Sequence, residues 1–242
     1  MTTAVILAAG LGSRLNNKLK KLPKGFIEFE GQTLIMRSID FLKSVGISKI
    51  ILGTGYFSEC YEAIEDRQTI FCVKNHLFAN TGSFYTLCNI KNHLHEDFLL
   101  LESDLLYEKR ALTLVMKNNF NDVILASSET GSGDEVFIGV DKEKFLYKLS
   151  KNMNDITHVY GELVGISKIS FNTYQILCEW AKKNENEARQ IHYEEALAEI
   201  SDKKNIYVKK IDDLVWTEID TKDHYQRAID YVYPRLLEKE DE

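Results

Sequence analysis

The chain has 242 residues, a length one α/β domain can occupy, and its 44% hydrophobic content suffices for a sizeable core. A net charge of -7 with no basic block excludes the electrostatic footprint of a nucleic-acid binder, yet a small anion could still be held by a few placed cations and backbone N–H groups. No apolar stretch approaches the roughly 18 residues that span a bilayer. The run from Ala4 to Ala9 is too short for a signal-peptide core and has no Lys or Arg before it. Cys60, Cys72, Cys88 and Cys178 form no C-x-x-C pair, so free thiols in a cytoplasmic protein are expected, with no membrane or nucleic-acid partner.

Thr3–Ala8 reads as a strand buried on both faces, running into a Gly-rich loop. Thr33–Val45 places Ile35, Ile39 and Leu42 on one helical face and stops at Gly46. Strands are expected at Lys49–Leu52, Thr69–Val73 and Asp97–Leu101. A helix is expected over Ser83–Leu94, with Phe84, Leu87, Cys88 and Leu94 inward. This alternation implies βαβ units and a largely parallel sheet.

After about residue 122 the elements shorten. Val123–Ala126, Glu135–Val140 and Lys144–Ser150 read as strands, the last two forming a hairpin across Asp141 and Lys142. Phe171–Lys183 and Tyr193–Ile200 read as helices, Ile206–Lys209 and Val215–Glu218 as short strands. A final helix from about Thr221 puts Tyr225, Ala228, Ile229, Val232 and Leu236 on one face. The expectation is one domain over 1–242: a Rossmann-like α/β fold whose mixed, mostly parallel sheet is flanked by helices. Residues 1–121 would form the nucleotide-binding core and 122–242 a half that shapes an acceptor pocket.

The first strand opens into Leu7-Ala8-Ala9-Gly10-Leu11-Gly12-Ser13-Arg14. A glycine turn at the carboxyl end of a parallel strand lets backbone N–H groups approach phosphate oxygens, and an arginine adds a bidentate cation. A dinucleotide fingerprint lacks its third glycine here, because Leu15 and Asn16 follow Arg14, and the second strand ends in Leu52-Gly53 without an acid. The G-K-[ST] of a Walker A loop is absent too. Gly-x-Gly alone could still be a plain tight turn.

With Leu22-Pro23-Lys24 following it, the L-A-A-G-x-G-S-R string resembles the signature of the sugar-phosphate and choline-phosphate nucleotidyltransferase superfamily, which has a GT-A-like fold. The resemblance implies that Leu7, Ala8, Ala9, Gly10, Gly12, Ser13, Arg14 and Lys24 hold the NTP, with Arg14 and Lys24 as catalytic charges. Asp104 follows a strand, on the same rim as the glycine loop, and Asp220 ends the last short strand before the C-terminal helix. Their plainer roles are a loop carboxylate and a helix N-terminal acid. The superfamily uses one aspartate after the central strand and another in a late E-I-D element. The resemblance therefore implies Asp104 and Asp220 as Mg²⁺ ligands, Asp104 also being catalytic. Nucleotidyl transfer builds negative charge on phosphate oxygens that a hard cation relieves. Glu102 and Glu218 alternate with them as supporting groups.

Asn80-Thr81-Gly82-Ser83 forms a small polar loop suited to a base or ribose, or to capping the next helix. Together with Leu101-Glu102-Ser103-Asp104-Leu105, Ser132-Gly133-Asp134-Glu135-Val136, Leu149-Ser150-Lys151-Asn152, the run Gly161 to Ile166 and Trp216-x-Glu218-Ile219-Asp220, it resembles the 2-aminoethylphosphonate cytidylyltransferases, relatives of the phosphocholine enzymes. That resemblance spans nearly the whole chain and implies CMP transfer from CTP to a small phosphonate or phosphate monoester. Asp134, Glu135, Lys151, Tyr160, Glu162, Tyr193, Trp216 and Glu218 are the acceptor-side candidates. A trimethylammonium tail favours aromatics and a primary ammonium favours carboxylates. His192 and His224 read as structural. An NAD(P) oxidoreductase and a non-catalytic nucleotide sensor fit less well, and the sequence leaves a homodimer open.

Overall fold

A computed structural model describes residues 1–14 and 22–240. In chain order it has β1 (Thr3–Ala8), a 3-10 turn (Lys24–Phe26), a small hairpin of β2 (Glu28–Phe29) and β3 (Gln32–Thr33), α1 (Leu34–Ser44), β4 (Lys49–Thr54), α2 (Ser58–Glu62), β5 (Ile70–Lys74), α3 (Ser83–Asn89), β6 (Phe98–Glu102), β7 (Leu105–Tyr107) and α4 (Arg110–Met116). Then come β8 (Val123–Ser127), β9 (Phe137–Val140), β10 (Leu146–Ser150), β11 (Val159–Ile169), α5 (Phe171–Lys183), α6 (Glu185–Gln190), α7 (Tyr193–Glu199), β12 (Tyr207–Ile211), β13 (Trp216–Glu218), α8 (Lys222–Arg227) and α9 (Tyr233–Glu240).

Nine of the described strands form one mixed sheet. Its parallel block is β6-β1-β4-β5, and β12 runs parallel to β8. The eleven-residue β11 joins the two halves: it pairs antiparallel with β6, β8 and β9, changing partners around Gly165. β1 alternates strictly between faces. Val5 and Leu7 meet Phe84, Leu87, Tyr174 and Leu197 from α3, α5 and α7. Ala4, Ile6 and Ala8 meet Ile35, Ile39 and Leu42 of α1, with Tyr61 of α2 and Leu112 of α4. A strand with helices on both sides has no solvent face, which explains its unbroken apolar run. The sheet is thus mixed and mostly parallel with flanking helices, as expected. No described helix is long and apolar enough to cross a membrane, and the four cysteines are free.

Several boundaries differ from expectation. The expected helix Ser83–Leu94 ends at Asn89 and gives way to a 3-10 turn, Lys91–His93, where the weak helix formers Asn89, Asn92 and His93 cluster. The expected strand Glu135–Val140 begins only at Phe137, because Glu135 accepts from the Gly133 N–H and bends the chain. The hairpin turn is wider than Asp141–Lys142: Asp141 Oδ1 accepts from the N–H groups of Glu143 and Phe145.

The C-terminal helix carries the largest correction. Residues Ala228–Val232 form a π-helical turn between α8 and α9. That wider turn keeps His224, Ala228, Val232 and Leu236 on the core at a four-residue spacing and rotates Ile229, expected on the same face, outward to 40% exposure. Leu236→Ala should therefore cost roughly 2–5 kcal/mol in denaturant unfolding, and Ile229→Ala no more than about 0.5 kcal/mol. Equal losses would contradict the observed phase.

Candidate active site

β1 and β6 pair in parallel from Thr3↔Phe98 to Leu7↔Glu102, so their carboxyl ends place the glycine loop and Asp104 on one rim. The antiparallel ribbon of β7 and β13 does the rest. It sets Glu218 opposite Leu105, and the Ile219 N–H donates to the Asp104 carbonyl at 3.0 Å, which brings Asp220 beside Asp104. Lys24 reaches the same point from the 3-10 turn after Pro23, whose fixed φ suits the residue before that turn. Gly12, at φ +58°, lies across the lysine stem; a Cβ there would meet Lys24 Cγ at 3.3 Å.

The charged groups form one web at the mouth of a cavity of about 270 Å³. Lys24 Nζ donates to Asp104 Oδ2 at 2.8 Å and also contacts Asp220. Arg14 bridges Asp134 and Asp220, and Lys151 Nζ donates to Asp134 Oδ1 at 2.6 Å. Burial raises the Asp134 carboxyl, but the hydrogen bonds from Lys151 and Arg14 outweigh it and hold the group below the usual range. Asp134, Glu218 and Asp220 each offer a carboxylate oxygen, all within 4.8 Å of one another. That all-oxygen donor set suits a hard divalent cation. The sequence expectation named Asp104 and Asp220; here Asp134 and Glu218, expected on the acceptor side, stand with Asp220, and Asp104 is tied to them through Lys24.

Farther along the wall the groups are acidic and aromatic. Tyr193 Oη donates to Glu102 Oε1 at 2.8 Å. Burial, then the neighbouring Asp104, Glu194 and Glu218, push Glu102 well above the carboxylate range. Burial and Asp104 raise Glu218 to about 7. Glu194 and Trp216 complete this part of the wall. The Thr81–Ser83 loop borders it and is fastened to the α6–α7 junction: the Gly82 N–H donates to the Arg189 carbonyl at 2.8 Å, and Ser83 Oγ accepts from the Tyr193 N–H at 3.0 Å. The approach is so close that a Cβ on Gly82 would lie 2.0 Å from the Ile191 carbonyl oxygen, so only glycine fits.

The sequence profile of the MobA-like NTP transferase domain matches residues 4–159, which include β1, its loop and the strand before Asp104. The chain belongs to that family. It is 24% identical over 241 residues to a choline-phosphate cytidylyltransferase of Haemophilus influenzae, covering 96% of this chain and 97% of the relative. It is 32% identical over 105 residues to a choline-phosphate cytidylyltransferase of Streptococcus pneumoniae, a match that spans 43% of this chain and less than half, 46%, of the relative. The solved structure of an inositol-1-phosphate CTP transferase from T. maritima superimposes with a TM-score of 0.77 at 21% identity, covering 93% of this chain and 91% of that one, and so shares the nucleotidyltransferase fold.

Within this NTP transferase the cavity is lined by Leu7, Ala8, Ala9, Gly10, Arg14, Lys24, Thr81, Gly82, Ser83, Asp104, Asp134, Lys151, Glu162, Tyr193, Trp216, Glu218 and Asp220, all singled out from sequence. Five candidates lie off the wall. Gly12 backs Lys24, Ser13 and Asn80 are exposed, Glu135 holds its own turn, and the Tyr160 ring faces Lys210 Nζ at 5.7 Å. Sequence reasoning missed Tyr61, Phe78 and Glu194, which also line the cavity. Tyr61 is a buried side chain whose hydroxyl bonds with Ser103, beside Asp104. It lies in a short helix with no motif around it, so only its position in space marks it.

Glu162 proves to be an anchor rather than an open acceptor contact. Its carboxylate accepts from the Thr130 N–H at 2.6 Å and from Thr130 Oγ1 at 3.0 Å. Burial lifts it from 4.5 to about 7 against the pull of those bonds. A carboxyl whose pKa is higher folded than unfolded favours the fold below the unfolded value and loses that contribution as pH rises through the folded one. Stability should thus fall between about pH 4.5 and 7, with Glu162 responsible for on the order of 2 kcal/mol after allowance for solvent screening. Glu162→Gln should flatten that part of the slope in urea titrations; an unchanged slope would contradict the assignment.

Proposed function

We propose that the protein is a CTP-dependent cytidylyltransferase that moves CMP onto 2-aminoethylphosphonate and releases pyrophosphate, with Mg²⁺ as cofactor. The observation that carries this reading is the convergence of Arg14, Lys24 and Lys151 with Asp104, Asp134, Glu218 and Asp220 beside the glycine loop. The basic side chains are paired with the carboxylates that a cation would occupy. A triphosphate with its cation would offer both sets other partners: phosphate oxygens for the basic groups and the metal for the carboxylates. The donor set of Asp134, Glu218 and Asp220 fits Mg²⁺ and would hold it, with Asp104 adjoining through Lys24. Bound there, Mg²⁺ would supply charge stabilisation to the α-phosphate and the leaving pyrophosphate.

The acceptor's phosphonate oxygen is ionised near neutral pH and attacks the α-phosphorus in line, so no general base is needed. Catalysis is alignment plus electrostatics. Arg14 and Lys24 hold the phosphates from the glycine-loop side. Thr81, Gly82 and Ser83 offer small polar contacts to the nucleoside. The wall of Glu102, Glu194 and Glu218 suits a primary ammonium with three N–H donors. Phosphocholine is the second reading: the full-length relative bears a choline-phosphate name, and Tyr193 and Trp216 offer aromatic faces to a trimethylammonium.

Pyrophosphate release measured with four NTPs should be restricted to CTP and abolished by EDTA. Lys24→Ala should reduce turnover roughly 10²-fold or more, and a loss under about fivefold would remove its assigned role. Asp104→Ala should abolish Mg²⁺-dependent turnover; a normal rate that keeps its metal dependence would count against that aspartate. With CTP fixed, kcat/KM should favour 2-aminoethylphosphonate over phosphocholine. The opposite preference would transfer the proposal to the choline reading.

A further inference from the structure

One buried side chain is placed to couple the two sides of the carboxylate cluster. Asp134 lies on the segment between β8 and β9, and Asp220 lies between β13 and α8. His224, 5% exposed in the first turn of α8, sits between them. The Asp220 N–H approaches its Nδ1 at 3.4 Å, and its Nε2 lies 3.2 Å from the Ser132 carbonyl oxygen. A backbone N–H only donates and a carbonyl only accepts. Both contacts are therefore met by one neutral tautomer, with the proton on Nε2 and the lone pair on Nδ1. The ring's own position is fixed by the helix cap, where Thr221 Oγ1 accepts from the His224 N–H at 3.2 Å.

The planar imidazole thus spans from the backbone of Asp220 to a carbonyl two residues before Asp134. Upstream on the same segment, Thr130 is held by Glu162. Past the ring, the Asp134 N–H reaches back to Ser132 Oγ at 3.4 Å, and its carboxylate pairs, among the described residues, with Arg14 and Lys151, the cations that a triphosphate would draw away. With those cations redirected, His224 and Glu162 hold the segment on the side before Asp134, and the Val136 carbonyl, accepting from the Leu163 N–H at 2.9 Å, holds it on the side after.

We propose that His224 is a positioning residue that fixes Asp134 against Asp220 and so sets the affinity of the site for its divalent cation. This rests on the cation site of the preceding section. Groups that orient metal ligands without touching the metal typically change affinity 10–100-fold when removed.

The test is Mn²⁺ binding to the intact protein with CTP and no acceptor, read by water-proton relaxation, alongside CTP and acceptor KM at saturating Mn²⁺ and Tm. His224→Leu removes both contacts. His224→Asn keeps an acceptor for the Asp220 N–H, and His224→Gln keeps a donor for Ser132. Mn²⁺ affinity is expected to fall about tenfold or more in His224→Leu and to recover in part in the Asn and Gln variants, with both KM values within twofold of wild type. If His224→Leu does not fold, a smaller loss of Mn²⁺ affinity at near wild-type KM in Asn and Gln, each of which lacks one of the two contacts, carries the test. Wild-type Mn²⁺ affinity in every folded variant would overturn the positioning role and leave the cation site standing. A wild-type protein that binds no Mn²⁺ would overturn the cation site, and the role of His224 with it.

Discussion

The structure depends on one electrostatic constraint: carboxylates brought this close repel unless cations stand among them. Asp134, Glu218 and Asp220 present oxygens within 4.8 Å, and Asp104 adjoins through Lys24. Two lysines and an arginine from three separate segments offset that repulsion. At partly buried sites such pairs are stronger than in water, because solvent screens them less. The same arrangement suits the proposed chemistry, in which phosphate oxygens would be alternative partners for the cations and a metal ion for the carboxylates. The ion pairs hold the cluster together without making it inert.

The backbone makes this convergence affordable. Parallel pairing of β1 with β6 fixes the glycine loop and Asp104 on one rim, and the β7–β13 ribbon delivers the late acidic segment to the same place. The segment before β9 closes from the other side, moored to Glu162 and His224. Two buried helical layers hold the strands, so small shifts at the site would have to displace a packed core. The Thr81–Ser83 loop gains similar definition from Gly82, whose missing side chain lets the α6–α7 junction press directly against it.

Where the pattern was local, it was readable. The apolar run of β1, the glycine loop and the lysine after Pro23 are contiguous strings whose chemistry survives without neighbours. β11 is the contrary case. Its stretch mixes Glu162, Ser167 and Lys168 with apolar residues and is bent at Gly165, so no period of two stands out. Two of those polar residues are satisfied by partners elsewhere: Lys168 Nζ donates to the Asn118 carbonyl, and Glu162 takes Thr130. The π-helical turn escaped for a related reason. One inserted residue changes which side chains face the core without changing composition.

The sequence by itself determined the fold class, the glycine turn after β1 and most of the side chains that line the cavity, because glycines, prolines and apolar periodicity act on their immediate neighbours. Only the tertiary structure decided which acids stand together. Glu218 and Asp134 joined Asp220, Glu162 became an anchor, and His224 moved from an anonymous histidine to a bridge. Those assignments depend on strand register and on hydrogen bonds between residues distant in the chain, and no local pattern encodes a distance across space.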